Sequence, residues 1–236
     1  MLMKPALPRL LEAEILDELE ADDPRAVRSR RDLRRINRVM GSAGILARAL
    51  AGAHAAPRRM IEFGAGDGEL MLRLARRLSS RWPQVHVVLL DCKDLVSRET
   101  REGFAGLGWT VETLQVDIDD WIAHAGHQRF DIALANLFIH HFDSVRISRL
   151  FDAVSRRADM LVACEPRRAR LPLLASRMVG LLGANEVTRT DAVLSVKAGF
   201  DGGELSELWP SVASGWELNE RHAGLFSHLF VARRAR

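Results

Sequence analysis

The sequence predicts an α/β fold whose sheet is mostly parallel, preceded by a helical cap. Apolar runs typical of buried strands occur at residues 59–63, 86–91, 111–117, 131–139 and 160–165. Most of these runs are separated by helical patterns, at residues 69–80, 94–105 and 143–157. Strands that alternate with helices of this length pair in parallel through right-handed crossovers. With 236 residues, 47% of them hydrophobic, the chain is long enough to bury a complete core.

The chain before residue 57 has a helical pattern throughout. Residues 10–20 predict a short acidic helix, and Asp23 is predicted to cap a second helix that ends at Gly41. Five arginines share one face of the second helix, where they can point into water; an anionic membrane surface or an acidic substrate tail is the alternative partner for them. We therefore expect a helical cap at residues 1–56 and a main domain at residues 57–236.

The C-terminal region breaks the alternation of strand and helix. Residues 216–220 and 228–233 flank a glycine-containing loop, which predicts an antiparallel pair at the sheet edge. The two cysteines, Cys92 and Cys164, lie in apolar runs, a pattern typical of a reduced cytoplasmic protein. No apolar run approaches the ~18 residues of a membrane span. Because 34 basic residues are offset by 31 acidic ones, a nucleic-acid partner is not expected.

A glycine-rich turn carries the clearest functional signal. An apolar strand ends at Phe63, Gly64, Gly66 and Gly68 follow at alternate positions, and a helix begins at once. Glycine lets the backbone approach a ligand closely, and the helix start supplies free N–H groups. Glu69 takes the place of the third glycine in the dinucleotide pattern G-x-G-x-x-G. By itself the turn is a weak signal, since an ordinary strand–helix connection is the alternative to a ligand site; its spacing argues against NAD.

Polar side chains lie at the ends of the next three predicted strands. Asp91 ends the second strand, where open α/β sheets present a carboxylate to a ribose diol. Asp117 and Ile118 end the third and offer an acid and a backbone amide to an adenine edge. Asn136 lies near the end of the fourth. Because ligands bind at the carboxyl ends of such strands, these groups are expected to lie together.

Together these segments resemble the class I S-adenosylmethionine-dependent methyltransferases over residues 57–233. E-F-G-A-G-D-G at 62–68 is similar to the first motif of that family, and F-D-I-A-L-A-N-L-F-I-H-H-F at 130–142 is similar to the strand-four motif of its small-molecule members. The resemblance implies a Rossmann-like seven-stranded sheet and methyl transfer from S-adenosyl-L-methionine. The cofactor-binding residues that it implies are Glu62, Phe63, Gly64, Ala65, Gly66, Gly68, Asp91, Cys92, Asp117, Ile118, Asn136 and Leu137.

Two adjacent histidines, His140 and His141, follow the fourth strand, where the resemblance places the transferable methyl group. Histidine is the usual general base, so we expect one of the pair to deprotonate or orient the acceptor, with activity falling as the pH drops through about 6–7. The alternative is that the pair caps or packs under the next helix. Asp191 and Arg189 could also face a substrate, although an ordinary surface pair is the favoured interpretation. No metal site is expected.

The expected acceptor is small and phenolic or lipophilic, and O-methylation is the favoured reaction. The apolar residues 137–139 and the helical cap favour an enclosed pocket. Asn136 is followed by Leu137 instead of the Pro-Pro-aromatic sequence that marks base N-methylation in this family. The alternatives are an RNA or protein methyltransferase on the same fold, and a nucleotide- or S-adenosylmethionine-binding module without catalysis. The sequence leaves the acceptor's identity and the oligomeric state open.

Overall fold

The computed structural model describes residues 7–124, 126, 128–211 and 214–235, so residues 1–6 of the expected cap and residue 236 lie outside the described part. The strands are β1 (Arg59–Phe63), β2 (His86–Asp91), β3 (Thr110–Gln115), β4 (Phe130–Asn136), β5 (Ala158–Pro166), β6 (Trp216–Ala223) and β7 (Ser227–Arg234). They form one sheet in the order β3-β2-β1-β4-β5-β7-β6. Strands β1 to β5 pair in parallel, and β7 pairs antiparallel with both β5 and β6. The predicted mostly parallel sheet with a C-terminal antiparallel hairpin is confirmed.

The described helices are α1 (Ile15–Glu18), α2 (Pro24–Met40), α3 (Ser42–Leu50), α4 (Glu69–Leu78), α5 (Arg98–Ala105), α6 (Ile118–His124), α7 (Ser144–Arg157), α8 (Arg170–Arg177), α9 (Glu186–Ala198) and α10 (Glu204–Leu208). Short 3₁₀ turns occupy Ile139–His141 and Val179–Leu182. Within the described part, no helix has both the length and the apolar character to cross a membrane.

Each face of the sheet has its own hydrophobic core. Alternate residues of a strand point to opposite faces, so Met60 of β1 packs with α3, α4 and α5, whereas Ile61 packs with α6, α7 and α10. Helices on both faces bury the central strands completely. The carboxyl ends of β1, β2 and β4 are thereby fixed side by side at one edge of the sheet.

Two predicted strands end earlier than expected. The third ends at Gln115 and the fourth at Asn136, instead of at residues 117 and 139. The fourth ends because Leu137 adopts a φ of 51°, a left-handed conformation that a strand cannot contain. This early turn leaves the residues after Asn136 free to bend over the sheet edge.

The N-terminal region differs from the prediction in two places, the first helix and the buried face of α2. Only Ile15–Glu18 is helical within residues 7–20, because Leu10 donates its N–H to Lys197 and Arg9 donates to the carbonyls of residues 140, 142 and 198. The start and end of α2, at the Asp23 cap and Gly41, are confirmed.

The buried face of α2 is more polar than expected, since Ser29 bonds to Thr188 at 2.8 Å and Asp32 accepts from the N–H of Asn185 at 2.9 Å. Helix α3 follows Gly41 directly, within the region predicted to be helical, and joins the core through Ile45, Leu46 and Leu50. The boundary at residue 57 stays a prediction.

Candidate functional site

A cavity of about 430 Å³ lies at the carboxyl ends of the central strands, beside α1 and α2. The turn after β1, the ends of β2 and β4, and the residues that follow β3 all contribute to its lining. The N-terminal segment also contributes, although it is distant from these strands in sequence. All of the sequence-predicted site residues except Phe63 and Gly68 therefore meet in one cavity, as expected for an open α/β sheet.

The glycine turn forms the floor of the cavity. Gly64 has a φ of 64°, and a Cβ at this position would lie 2.2 Å from the ring of Phe138, so a larger residue does not fit without displacing that ring. Gly66 has a φ of 55°, and a Cβ there would meet no atom within 4 Å. Because Gly66 lines the cavity, that side chain would project into the space a ligand needs. Gly66 also donates its N–H to Asp91 Oδ2 at 2.8 Å.

Glu62 carries an unsatisfied carboxylate oxygen against the cavity. The residue is 2% exposed, and Oε2 has no hydrogen-bond partner among the described residues. Burial raises the pKa of Glu62 well above its usual range, and the charges of Asp67 and Asp91 raise it further. A buried acceptor without a partner is costly. The site therefore fits a ligand that brings a cationic or hydrogen-bond-donating group to Glu62.

Four predicted residues from the ends of β2 and β3 line the cavity: Asp91, Cys92, Asp117 and Ile118. Asp91 Oδ1 accepts the N–H of Lys93 at 3.0 Å, which fixes the carboxylate while leaving lone pairs for a ligand. Asp117 Oδ1 accepts the N–H of Asp119 at 2.8 Å, at the start of α6. Burial raises the pKa of the Cys92 thiol, and the nearby Asp91 charge adds to the effect. The carboxylates are held in place by backbone N–H groups.

Phe63 and Gly68 do not line the cavity, and the cofactor contact implied for them stays a prediction. The Phe63 side chain is fully buried, with its ring edge-on to Trp121 at 4.8 Å between centroids. Gly68 has a φ of 72° and precedes α4, and a Cβ there would lie 2.8 Å from Leu89. Both residues belong to the glycine turn or its flanks, but neither faces the cavity.

Asn136 and Leu137, also predicted, do line the cavity at the end of β4. Asn136 is 8% exposed, and its Oδ1 has no partner in the described part of the chain. Leu137 donates its N–H to the carbonyl of Cys164 at 3.0 Å, and its left-handed φ costs of the order of 1–3 kcal/mol for a non-glycine residue. Strain of this kind is commonly found where a chain positions functional groups.

His140 is buried between two carboxylates. It is 2% exposed, and its Nδ1 lies 2.8 Å from Oε2 of Glu165, which is completely buried. Glu165 also accepts the N–H groups of Phe138 at 3.1 Å and Ile139 at 3.0 Å, so its carboxylate cannot rotate away. Nε2 of His140 lies 3.4 Å from Oε1 of Glu14 and has no hydrogen-bond partner among the described residues.

The charges around His140 set its protonation. Burial alone lowers the pKa of His140, but Glu14 and Glu165 outweigh burial and raise it to about 9. The pKa of Glu14 is lowered, because its contacts with His140 outweigh the effect of its own burial. Two carboxylates therefore flank one imidazole and stabilise its protonated form. The expected titration near pH 6–7 is replaced by one near 9.

His141 has a different environment from its neighbour. Its side chain is 23% exposed, and its Nδ1 lies 3.3 Å from Asp17 Oδ2. The two imidazole rings are 4.2 Å apart between centroids. Only His140 is held by a buried carboxylate, so the structure distinguishes the two histidines where the sequence could not.

Residues 7–20, called the lid segment below, contribute Glu14, Leu16 and Asp17 to the cavity lining and bring Glu14 to His140. Asp191, which is 4% exposed, accepts the N–H groups of Ile15 at 2.9 Å and Leu16 at 3.0 Å at the start of α1. Lys93 Nζ donates to the carbonyls at the other end of α1, the shortest distance being 2.7 Å to Leu19. A carboxylate at the start and an ammonium at the end both complement the helix dipole.

This geometry corrects one interpretation and adds residues that were not predicted. Asp191 is buried and holds the lid segment, so it is not part of a surface pair with the exposed Arg189. Glu14 and Glu165 were not singled out as site residues. An acid directly after the apolar run of β5 was a usable signal for Glu165, whereas nothing local marks Glu14.

Glu14, His140 and His141 are the one group in the described residues that could hold a metal ion, since their ligand atoms lie within 4.8 Å of one another. Nδ1 of His140 already contacts Glu165, and Nδ1 of His141 faces Asp17. We interpret the cluster as a network of ion pairs. A metal-free site stays a prediction.

Comparisons with known proteins find similarity to methyltransferases. Residues 60–159 match a family described as methyltransferase domain. No protein of curated function matches the chain in sequence. Among solved structures, the plantazolicin methyltransferase BpumL in complex with SAH is similar, with a TM-score of 0.64 and 12% identity over 90% of this chain and 91% of that one.

Two larger proteins share the same fold. An O-methyltransferase family protein from Burkholderia thailandensis has a TM-score of 0.61 and 16% identity over 91% of this chain. Human N-acetylserotonin methyltransferase in complex with SAM has a TM-score of 0.58 and 13% identity over 93% of this chain. This chain spans 61% of the length of each of them.

Proposed function

We propose, since the chain is a class I S-adenosylmethionine-dependent methyltransferase, that it methylates an oxygen atom of a small phenolic or lipophilic acceptor. The observation that carries this proposal is the buried pair of Glu165 and His140. Glu165 holds Nδ1 of His140, and Nε2 of His140 has no hydrogen-bond partner in the described residues. An oxygen acceptor must lose its proton to become a good nucleophile, and an imidazole is suited to remove it. A site for nitrogen or sulfur acceptors has less need of such a base.

The residues around the glycine turn fit the cofactor. When bound, S-adenosylmethionine supplies a methyl group activated by a sulfonium centre. Glu62 would accept from its amino group, and Asp91 would accept from its ribose hydroxyls through the lone pairs left free. Two observations support this assignment: the orphaned buried oxygen of Glu62, and the open space over Gly66.

His140 is proposed as the catalytic base. Its Nδ1–H donates to Glu165, so the lone pair of the neutral ring lies on Nε2. A pKa of about 9 is close to that of a phenol, about 10, so the proton transfer is nearly balanced. Glu14, next to Nε2, stabilises the imidazolium that forms. Glu14 and Glu165 are therefore positioning residues that act through His140.

The rest of the cavity wall supports an apolar acceptor. Leu16, Leu33, Phe138 and Phe142 all line it, and the two phenylalanine rings pack edge to face at 4.9 Å between centroids. Apolar and aromatic linings with a few polar groups are typical of small-molecule sites. We propose that residues 1–56 act as a cap over this space. We also propose a cytoplasmic location, on the pattern of free cysteines at positions 92 and 164.

The direct test uses radiolabelled S-adenosylmethionine with a panel of phenols and matched anilines and benzoic acids. The proposal predicts methyl ethers, identified by mass spectrometry, and little product from the anilines. Transfer of label only to RNA or to protein in a lysate would contradict the small-molecule assignment. Cofactor binding without transfer to any of these would favour a non-catalytic module. Adding EDTA should leave the rate unchanged; a loss that added metal restores would assign metal binding to the Glu14 cluster.

A further inference from the structure

An exposed apolar surface lies outside the cavity, on α8 and the 3₁₀ turn after it. Leu171, Leu174 and Met178 are spaced to share one side of a helical path, and they are 52%, 56% and 51% exposed. The opposite side of α8 is buried through Pro172 and Ser176. Leu181 and Leu182 extend the exposed side at 79% and 54% exposure. These five residues are called the apolar patch below.

The patch is flanked by arginines that form no ion pair with the described residues. Residues 166–185 contain no aspartate or glutamate. Arg170 and Arg177 are exposed on α8, and neither pairs with a carboxylate among the described residues. The exposed Arg189 of α9 lies against the same turn, since a Cβ on Gly180 would be 3.0 Å from its Nε. An apolar face with a basic border is the pattern of a helix that lies in the surface of an anionic membrane.

We propose that the apolar patch docks this protein on an anionic lipid surface, with the five apolar side chains below the headgroups and the three arginines among them. A second copy of the chain is a poorer occupant, because a two-fold contact would bring two unpaired basic borders together. The most exposed residue, Leu181, projects from the surface instead of lining a groove, which suits a fluid bilayer better than a rigid partner.

Docking here would place the acceptor side of the cavity near the membrane. Helix α8 packs on α9, and α9 carries both Asp191, which holds the lid segment, and Ser195, which lines the cavity. A lipophilic acceptor dissolved in the bilayer would then be concentrated next to the lid segment. The docking surface itself does not depend on which acceptor is methylated.

The test is sedimentation of the full chain with phosphatidylcholine vesicles, with and without phosphatidylglycerol. We expect binding to the anionic vesicles, weakened by added salt and by Arg170→Gln/Arg177→Gln. The double variant Leu181→Asp/Leu182→Asp should bind at least about tenfold more weakly. Its matched control is Val39→Asp/Val145→Asp, which makes the same charge change at sites 67% and 69% exposed on other helices.

Three outcomes would overturn the proposal. The wild-type chain could stay in the supernatant with anionic vesicles, which would leave the patch without a lipid partner. The control variant could lose binding as strongly as the patch variant, which would show that the added negative charge, and not the loss of the apolar patch, weakens vesicle binding. Light scattering could show a wild-type dimer that Leu181→Asp/Leu182→Asp dissociates, which would make the patch a contact between copies. Unchanged circular dichroism of both double variants excludes misfolding as the cause.

Discussion

The two halves of the cavity are built in different ways. The cofactor half, at residues 62–68, 91–92 and 117–118, comes from strand ends and turns whose residues are close in sequence. In the proposed acceptor half, Glu14 and His140 line the cavity, while Glu165 and Asp191 hold them from outside it. These residues come from segments far apart, and Ile15 and Asp191 are separated by 176 positions. A local turn can be recognised in a sequence, whereas a long-range cluster exists only once the chain has folded.

The difference has a functional consequence. Backbone N–H groups and left-handed glycines fix the cofactor half, so its changes should alter affinity. The acceptor half depends on ionised side chains and on a lid segment held by a few polar contacts, so its changes should alter turnover or its pH dependence. Variants in each half test whether effects on cofactor affinity and on turnover are separate, and Gly66→Val should have the largest effect.

Gly66→Val should abolish cofactor binding. The branched side chain would enter the open part of the cavity, and calorimetry with S-adenosylhomocysteine should show no measurable heat. The matched control is Gly108→Val, because Gly108 also has a positive φ, 74°, and open space around it, but does not line the cavity. Equal loss of binding in both variants would assign the effect to backbone strain and contradict the site.

His140→Gln should lower turnover by about 10²–10⁴-fold, the usual contribution of a general base. Cofactor affinity should stay unchanged, because His140 belongs to the acceptor half. His141→Gln is the control, since His141 lacks the buried carboxylate partner, and it should cost little. Full turnover in His140→Gln would place the base elsewhere or show that the acceptor needs none.

Asp91→Ala should weaken cofactor binding by at least about tenfold, because charge-assisted hydrogen bonds contribute roughly 1.5–3 kcal/mol each. The loss includes a backbone component, since Asp91 also holds the N–H of Gly66. Asp91→Asn keeps an acceptor oxygen and should lose less. If Asp117→Ala removes binding while Asp91→Ala does not, the ribose contact has been assigned to the wrong strand.

Asp191→Ala should raise the KM for the acceptor about three- to tenfold while leaving cofactor affinity unchanged. The variant removes both hydrogen bonds that hold the start of α1, each of which contributes about 1 kcal/mol. Steady-state kinetics at saturating cofactor measures the effect. Thr190→Ala, at the exposed neighbouring position, should leave the KM as it is. A loss of cofactor affinity in Asp191→Ala would show that the two halves are coupled.

The fold, and the meeting of the strand ends and the glycine turn at one cavity, could be predicted from the sequence because both depend on local patterns. The bounds of β1 and β2 follow from apolar runs that end in a glycine turn and in Asp91. Phe63 and Gly68 belong to the same motif but do not line the cavity. The Phe63 ring packs against Trp121, and Gly68 directly precedes α4.

The acceptor half could be predicted only in part. His140 could be proposed as a site residue because it follows a strand. Its raised pKa could not be predicted, since Glu14 and Glu165 contact it from other segments. The acidic residues at 10–20 indicated a helix, whereas residues 7–14 are not helical and contact the end of α9 through Arg9 and Leu10. Tertiary contacts outweighed helix propensity there.

The pH dependence of turnover tests the central claim, that His140 acts as a base between two carboxylates. Both carboxylates favour the protonated ring, so the base form increases only as the pH rises through the pKa. Turnover of the wild-type enzyme should therefore rise with pH to an inflection near 9, and Glu14→Gln should move that inflection down toward the ordinary value of 6.5. A wild-type inflection near 6.5 that Glu14→Gln leaves in place would contradict the account.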